Sequence, residues 1–301
     1  MNILVSGGNG FIGRHLVKAL QAEGHRVWVL SRKAPDIAGD ILEEDLDRRI
    51  PQEIEAVYHL AGMTSVGECI QNPGACLRAN VLGTQNMLAI AKRRQVRRFI
   101  FVSSVYVYGD APIYPTPEDA CLFPNNPLGA SKVGAEQMGR AYSLCYDLPV
   151  TVFRPFTVYG SGSGRHQFIP SLMEQVMSAQ GMEVGEPRCT RDFIHVSDVV
   201  AGLVQSLRLT DKWSVFNLGT GVETSVAALI QLLLEIAQKP QMQVRFGVRP
   251  PRVDERHAIS RQCADIRRAR EQLSWQPQVS LRDGLMELFH QMETSKAHGY
   301  A

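Results

Sequence analysis

Charge of one sign is scarce in this chain: 32 Lys and Arg stand against 30 Asp and Glu, a net of +2 over 301 residues. Such a balance gives no global field to hold nucleic acid or an anionic membrane, although local arginines can still bind a small anion. Long apolar runs are also missing, and none reaches the length of a membrane span. The first residues, MNILVSGGNGFIG, pass directly into a Gly-rich pattern without a basic stretch or cleavage site. The six cysteines, Cys69, Cys76, Cys121, Cys145, Cys189 and Cys263, have neither CxxC nor Cys/His spacing. That spacing argues against a metal site or redox pair and for buried or idle thiols in a reducing cytoplasm.

What is present is alternation. Short apolar runs of buried-strand type occur at Asn2 to Val5, Arg26 to Leu30, near Ile41, Ala56 to His59, Arg98 to Ser103 and Val150 to Arg154. Helical periodicity fills Phe11 to Glu23, Pro73 to Arg94 and Leu128 to Tyr146. Strand, helix, strand from the first residue predicts an α/β fold with a Rossmann-type doubly wound parallel sheet over residues 1–155. Beyond 155 the rhythm loosens through GSGSGRHQFIP, GMEVGEPRC and VRPPRV. Residues 156–301 are therefore expected to form mainly a smaller C-terminal substrate lobe, with later segments returning to the first domain.

Between the first strand and first helix lies Ser6-Gly7-Gly8-Asn9-Gly10-Phe11-Ile12-Gly13. Glycines suit a tight turn that lets a pyrophosphate approach backbone amides at a helix N-terminus, so dinucleotide binding is expected. At the end of the second strand an acidic residue would hold the ribose 2′-hydroxyl of NAD; this chain has Ser31-Arg32-Lys33 instead. A hydroxyl and two cations fit the 2′-phosphate of NADP(H) better than NAD(H), the alternative being a solvated basic loop. Asp45-Leu46 would suit the adenine edge.

Taken in order, SGGNGFIG, HLAG (59–62), NVLGT (80–84), SSVYVYG (103–109), GASK (129–132), RPFTVYG (154–160), RDFIHVSDV (191–199) and NLGTG (217–221) carry a nearly end-to-end likeness. The chain resembles the extended short-chain dehydrogenase/reductase family, the NAD(P)-dependent epimerases, dehydratases and reductases of nucleotide sugars. The resemblance implies cofactor contacts at Gly7, Gly10, Phe11, Ile12, Gly13, Leu60, Ala61, Lys132 and Pro155. It implies substrate contacts at Thr64, Ser104 and Thr157, the last where relatives often have Asn. Arg191 and Arg249, with Arg252 as a weaker third, match positions that clamp a nucleotide diphosphate. Arg191 could instead pair with Asp192 or Asp198, and Arg249 could be a solvated loop charge. His195, inside an apolar run, is expected to hydrogen-bond within the fold.

The family's proton carrier is a tyrosine four residues before the lysine, assisted by a Ser or Thr. Ser104 and Lys132 match the assisting hydroxyl and the lysine, but Leu128 stands where the tyrosine should be. Leucine carries no proton at any pH, and a positioned acid or base is typically worth about 10² to 10⁴ in rate. Tyr106 could replace the phenol; Ser104 with a water relay could suffice; or the chain could bind cofactor or sugar without turnover, as a sensor or regulatory subunit. Val105-Tyr106 lacks the acidic pair of the 4,6-dehydratases, leaving a 4-keto-sugar reductase or a 4-epimerase acting at C4 of the hexose. The family's homodimer, pairing the helix around Gln85 to Lys92 with that carrying Lys132, is likewise implied by resemblance.

Overall fold

The computed structural model describes residues 1–165, 167–178, 181–247 and 259–297. Its strands are β1 (Asn2–Ser6), β2 (Arg26–Ser31), β3 (Ile37–Ala38), β4 (Ala56–His59), β5 (Arg98–Val102), β6 (Val150–Pro155), β7 (Thr157–Tyr159), β8 (Met182–Val184), β9 (Thr190–Arg191), β10 (Phe193–His195), β11 (Trp213–Leu218), β12 (Thr224–Ser225) and β13 (Val244–Phe246). Helices are α1 (Phe11–Ala22), α2 (Val66–Gln71), α3 (Pro73–Leu77), α4 (Gly83–Arg93), α5 (Pro127–Tyr146), α6 (Phe168–Met177), α7 (Val196–Gln205), α8 (Val226–Ile236), α9 (Arg267–Leu273) and α10 (Leu281–Ala297). None among the described residues is long and apolar enough to cross a membrane.

Seven strands form the main sheet in the order β11-β6-β5-β4-β1-β2-β3, every adjacent pair parallel. Apolar strand residues are buried on both faces, as covering helices require. Chain direction across the sheet reverses between β1 and β4, so a crevice opens beyond Ser6 and His59 at their carboxyl ends. This is the place where doubly wound sheets bind ligands. The seventh strand comes from the second half of the chain, and α7 from the same half packs against α1. A separate core gathers Tyr159, Met173, Phe193, Leu229, Leu233 and Leu285.

Two local expectations need correction. The short strand lies at Ile37–Ala38, whereas Ile41 sits in the following turn and tucks its side chain against Gly83. The helix expected from Pro73 to Arg94 is broken into α3, a π turn at Arg78–Leu82 and α4. That turn carries Asn80 inward to 1% exposure, where its amide is fully used. Such π turns recur at functional sites.

A candidate cofactor and substrate cleft

At the carboxyl ends of β1, β4, β5 and β6 lies a cleft of about 860 Å³. Its floor is the Gly-rich turn. Gly7 has φ +77°, and a Cβ there would lie 2.7 Å from the Ala61 nitrogen; one on Gly13 would collide with the Gly7 carbonyl. Close packing of turn, helix and strand thus excludes any side chain. Gly10 caps α1 without a side-chain hydrogen bond, leaving first-turn amides available to an anion.

Gly7, Gly10, Phe11, Ile12, Gly13, Ser31, Arg32, Leu60, Ala61, Lys132 and Pro155 all line this cleft. Ser31 Oγ accepts from Asn9 Nδ2 at 2.9 Å. Lys33 is not part of the lining, and neither are Asp45 and Leu46. Leu46 is completely buried in the core, while Asp45 caps a 3-10 turn and lies 3.4 Å from Arg49. Asp40 and Ile41 stand at the cleft instead, an acidic-apolar pair that the turn after β3 brings round.

The opposite wall is α5, started by Asn126, whose Oδ1 accepts from Gly129 N at 3.0 Å, and by Pro127 in the first turn. Lys132 is 2% exposed; its Nζ donates to the Val102 carbonyl at 2.9 Å and lies 4.8 Å from the Phe101 ring centre. Burial pulls its pKa down to about 8, against the opposing pull of the Glu136 carboxylate. Glu136 is itself tied to Arg154 at 2.6 Å and accepts from Ser103 Oγ at 2.5 Å. Ser104 is extended and caps the turn Val105–Val107, its Oγ accepting from Tyr106 N at 3.3 Å. Leu128 packs in an apolar cluster with Cys69 and Cys76, flanked by Met63, Val66 and Tyr106. Ser104, Tyr106, Leu128 and Lys132 all face the cleft.

Two buried residues behind this wall were not singled out as site residues. Asn80 Oδ1 accepts from Met63 N at 2.8 Å, and Nδ2 donates to Met63 O at 3.0 Å and Ser131 Oγ at 2.8 Å. It pins the loop after β4 to α5. His59 Nδ1 meets Ser6 Oγ at 2.6 Å and Nε2 meets Thr84 Oγ1 at 3.0 Å. Because Thr84 donates its proton to the Asn80 carbonyl at 2.6 Å, it accepts from His59, which assigns the neutral Nε2–H tautomer. Burial first, and the Lys132 charge second, hold the His59 pKa down to about 3. The sequence signals were the family-like HLAG and NVLGT segments, in which His59 and Asn80 themselves carried no expected role.

Toward the other end, Thr64, Thr157 and Arg191 line the cleft. Thr157 Oγ1 donates to Gln262 Oε1 at 3.2 Å. Arg191 Nη1 donates to the Thr190 carbonyl at 2.7 Å. The alternative pairings of Arg191 are not formed. Asp192 accepts from Thr220 N, Thr220 Oγ1, Gly221 N and Ala264 N at 2.6 to 3.0 Å. Asp198 accepts from Gln278 N and Val279 N. An apolar wall of Phe168, Ile169, Pro170, Val184 and Val226, which the irregular sequence there did not announce, completes this end. His195 stays outside the lining and bonds Ser197 Oγ at 2.7 Å. Arg249 and Arg252 lie outside the described residues.

Residues 3–219 match the model of the NAD dependent epimerase/dehydratase family. A UDP-glucose 4-epimerase of Mycolicibacterium smegmatis is 33% identical over 307 aligned positions, covering 95% of this chain and 96% of the relative. The UDP-glucose 4-epimerase of Thermotoga maritima, solved with UDP-glucose, superposes with a TM-score of 0.90 at 30% identity, over 98% of this chain and 100% of that one. RMD from Pseudomonas aeruginosa, solved with NADPH, gives 0.85 at 29% identity over 97% of each chain. The fold, the Gly-rich turn at the switch point and this end-to-end similarity place the chain in the NAD-dependent epimerase/dehydratase family.

Proposed function

We propose that this protein is a nucleotide-sugar oxidoreductase acting at C4 of the hexose, an NADPH-dependent 4-keto-sugar reductase or a 4-epimerase with a rearranged proton path. The observation that carries the reading is the convergence of Ser104, Tyr106 and Lys132 on one cleft that also holds a bare helix N-terminus and Arg191. The Cβ-free floor and open α1 amides fit a dinucleotide pyrophosphate, and Arg32 at the cleft supports NADP(H) over NAD(H). Bound there, the nicotinamide cofactor would supply or accept the hydride.

The chain's own groups do the rest. Lys132 holds the nicotinamide ribose and keeps positive charge beside the reacting oxygen. Ser104 hydrogen-bonds that oxygen, and Tyr106 gives or takes its proton. Arg191 grips the diphosphate, with Arg249 as its partner. In the reductive direction the C4 carbonyl becomes an alcohol, gaining hydride on carbon and a proton on oxygen. The exposed Leu144 of α5 and Leu82 just before α4 support a homodimer through these two helices, and the expected setting remains the cytoplasm.

A second reading, a cofactor- or sugar-binding relative without turnover, is favoured by one observation: Leu128 is 2% exposed among apolar neighbours. The test is incubation of the protein with NADPH or NADH and a panel of nucleotide hexoses and their 4-keto derivatives. Cofactor consumption with a 4-keto sugar, or isomerised product with bound NAD, supports the enzyme. Bound cofactor with no conversion supports the second reading.

A further inference from the structure

We propose that the apolar wall formed by Leu128, Met63 and Val66 receives the methyl group of a 6-deoxyhexose, which makes the substrate a nucleotide-linked 6-deoxy-4-ketohexose. The proposal rests on the reading of this cleft as a nucleotide-sugar site with Ser104, Tyr106 and Lys132 at C4.

The wall adjoins the groups assigned to the reacting oxygen. Leu128 precedes Lys132 by one turn of α5, and Met63, Val66 and Tyr106 pack against the cluster that Leu128 forms with Cys69 and Cys76. A Cβ on Gly129 would collide with the Tyr106 carbonyl, so the turn from Ser104 to Tyr106 lies directly on the start of α5. Behind the wall the polar groups are used on one another. Asn80 takes up both the amide and the carbonyl of Met63. Ser131 Oγ accepts from Asn80 Nδ2 and donates to the Leu128 carbonyl, each at 2.8 Å, and Cys76 Sγ donates to Ser131 Oγ at 3.3 Å. Ser65 Oγ of the loop after β4 caps α2, accepting from Glu68 N at 3.2 Å. What this wall offers a ligand is therefore methyl, methylene and sulfur surface.

The chemistry of a hexose decides what can lie there. With C4 at Ser104, Tyr106 and Lys132, the neighbouring carbons are C3, which carries a hydroxyl, and C5, which carries C6. A C6 hydroxyl against this wall would lose its hydrogen bonds to water and find no partner, whereas a methyl group gains by leaving water. C6 takes no part in the reaction: C4 gains the hydride carried by NADPH, its oxygen gains the Tyr106 proton, which solvent restores, and NADP⁺ is left. A ketone at C4 next to a methyl-bearing C5 is what remains when a hexose has been oxidised at C4, has lost water across C5 and C6 and has regained hydride at C6. A 4,6-dehydration elsewhere must therefore supply this substrate, since Val105-Tyr106 lacks the acidic pair for that elimination.

The test is calorimetric titration of the full chain saturated with NADPH, which cannot react with a C4 alcohol, using pairs of nucleotide sugars that differ only at C6: UDP-6-deoxyglucose against UDP-glucose, and GDP-6-deoxymannose against GDP-mannose. In whichever pair binds, the 6-deoxy member should bind at least about fivefold more tightly. Leu128→Met should keep that preference. Leu128→Gln, which places an amide at the wall, should reduce it to below about twofold, with NADPH affinity unchanged in both variants. If Leu128→Gln fails to fold, the wild-type ratio and Leu128→Met decide alone. A wild-type advantage under about fivefold, or a preference for the C6 hydroxyl, would overturn the proposal while leaving the nucleotide-sugar reading in place. The full preference persisting in a Leu128→Gln protein that binds NADPH normally would do the same. If neither pair binds, both the proposal and the reading it rests on fall.

Discussion

Leu128 and Lys132 stand one helical turn apart on α5, each 2% exposed and each facing the cleft, so an isobutyl group lies beside a buried ammonium. Residues four apart share a helix face, which is why the pair faces the same cleft. The neighbours of Leu128 are apolar: Cys69, Cys76, Met63 and Val66 form a wall around it. A working pocket shaped by Leu128 predicts that Leu128→Tyr lowers kcat/KM by about tenfold or more, because a phenol hydroxyl forced into that wall lacks a partner. A large gain in kcat/KM would mean that the native site is merely disabled.

Tyr106 follows Ser104 by two residues and packs against the Leu128 cluster while lining the cleft. Acting as the proton carrier, it predicts that Tyr106→Phe lowers kcat by roughly 10² or more with NADPH affinity unchanged. Steady-state kinetics with fluorescence titration separate the two quantities. A change in kcat under about twofold removes Tyr106 from the proton path.

Lys132 titrates near 8 because burial penalises its charge. Its ammonium is therefore present at pH 7 and is lost as pH rises through about 8. NADPH binding by the free protein should weaken between pH 7 and 9, in the sense expected for loss of a cation facing an anionic dinucleotide. Lys132→Ala should bind weakly at every pH in this range and show no turnover. A wild-type affinity flat across the window would contradict the assignment of Lys132 to the cofactor.

His59 provides a separate check on the buried scaffold. Unfolded, it takes up a proton near 6.5; folded, only near 3. Between those values the unfolded chain binds more protons, so stability is complete above about 6.5 and falls as pH drops toward 3. Thermal unfolding should show Tm declining on acidification below 6.5, with a shallower decline in His59→Gln. Equal slopes in the two proteins would show that His59 is not held neutral.

Much of the dinucleotide half was legible because its signals are local. Apolar runs of strand length mark β1, β2, β4, β5 and β6, and the Gly-rich turn marks the switch point between β1 and β4. Departures arose where tertiary contacts override local pattern. Asp45-Leu46, expected to suit the adenine edge, lie away from the cleft, and Asp40-Ile41 line it instead, because β3 is only two residues long and ends earlier than the apolar pattern implied. The π turn that buries Asn80 leaves no mark in helical periodicity. The wall from Phe168 to Pro170 with Val184 and Val226 joins distant segments that no short motif connects.

The most direct test of the central claim is transfer of label from 4-deuterated NADPH to a nucleotide-linked 4-keto hexose, read by mass spectrometry and NMR of the product. A reductase working through this cleft predicts one deuterium on C4 of the sugar and one equivalent of NADP⁺ released, and an epimerase, given instead the nucleotide hexose with its C4 hydroxyl, predicts sugar inverted at C4 with the dinucleotide retained. Tight binding of NADPH and of nucleotide sugar, with no deuterium transferred and no sugar altered, would contradict the account and make Leu128 the mark of a protein that binds without turning over.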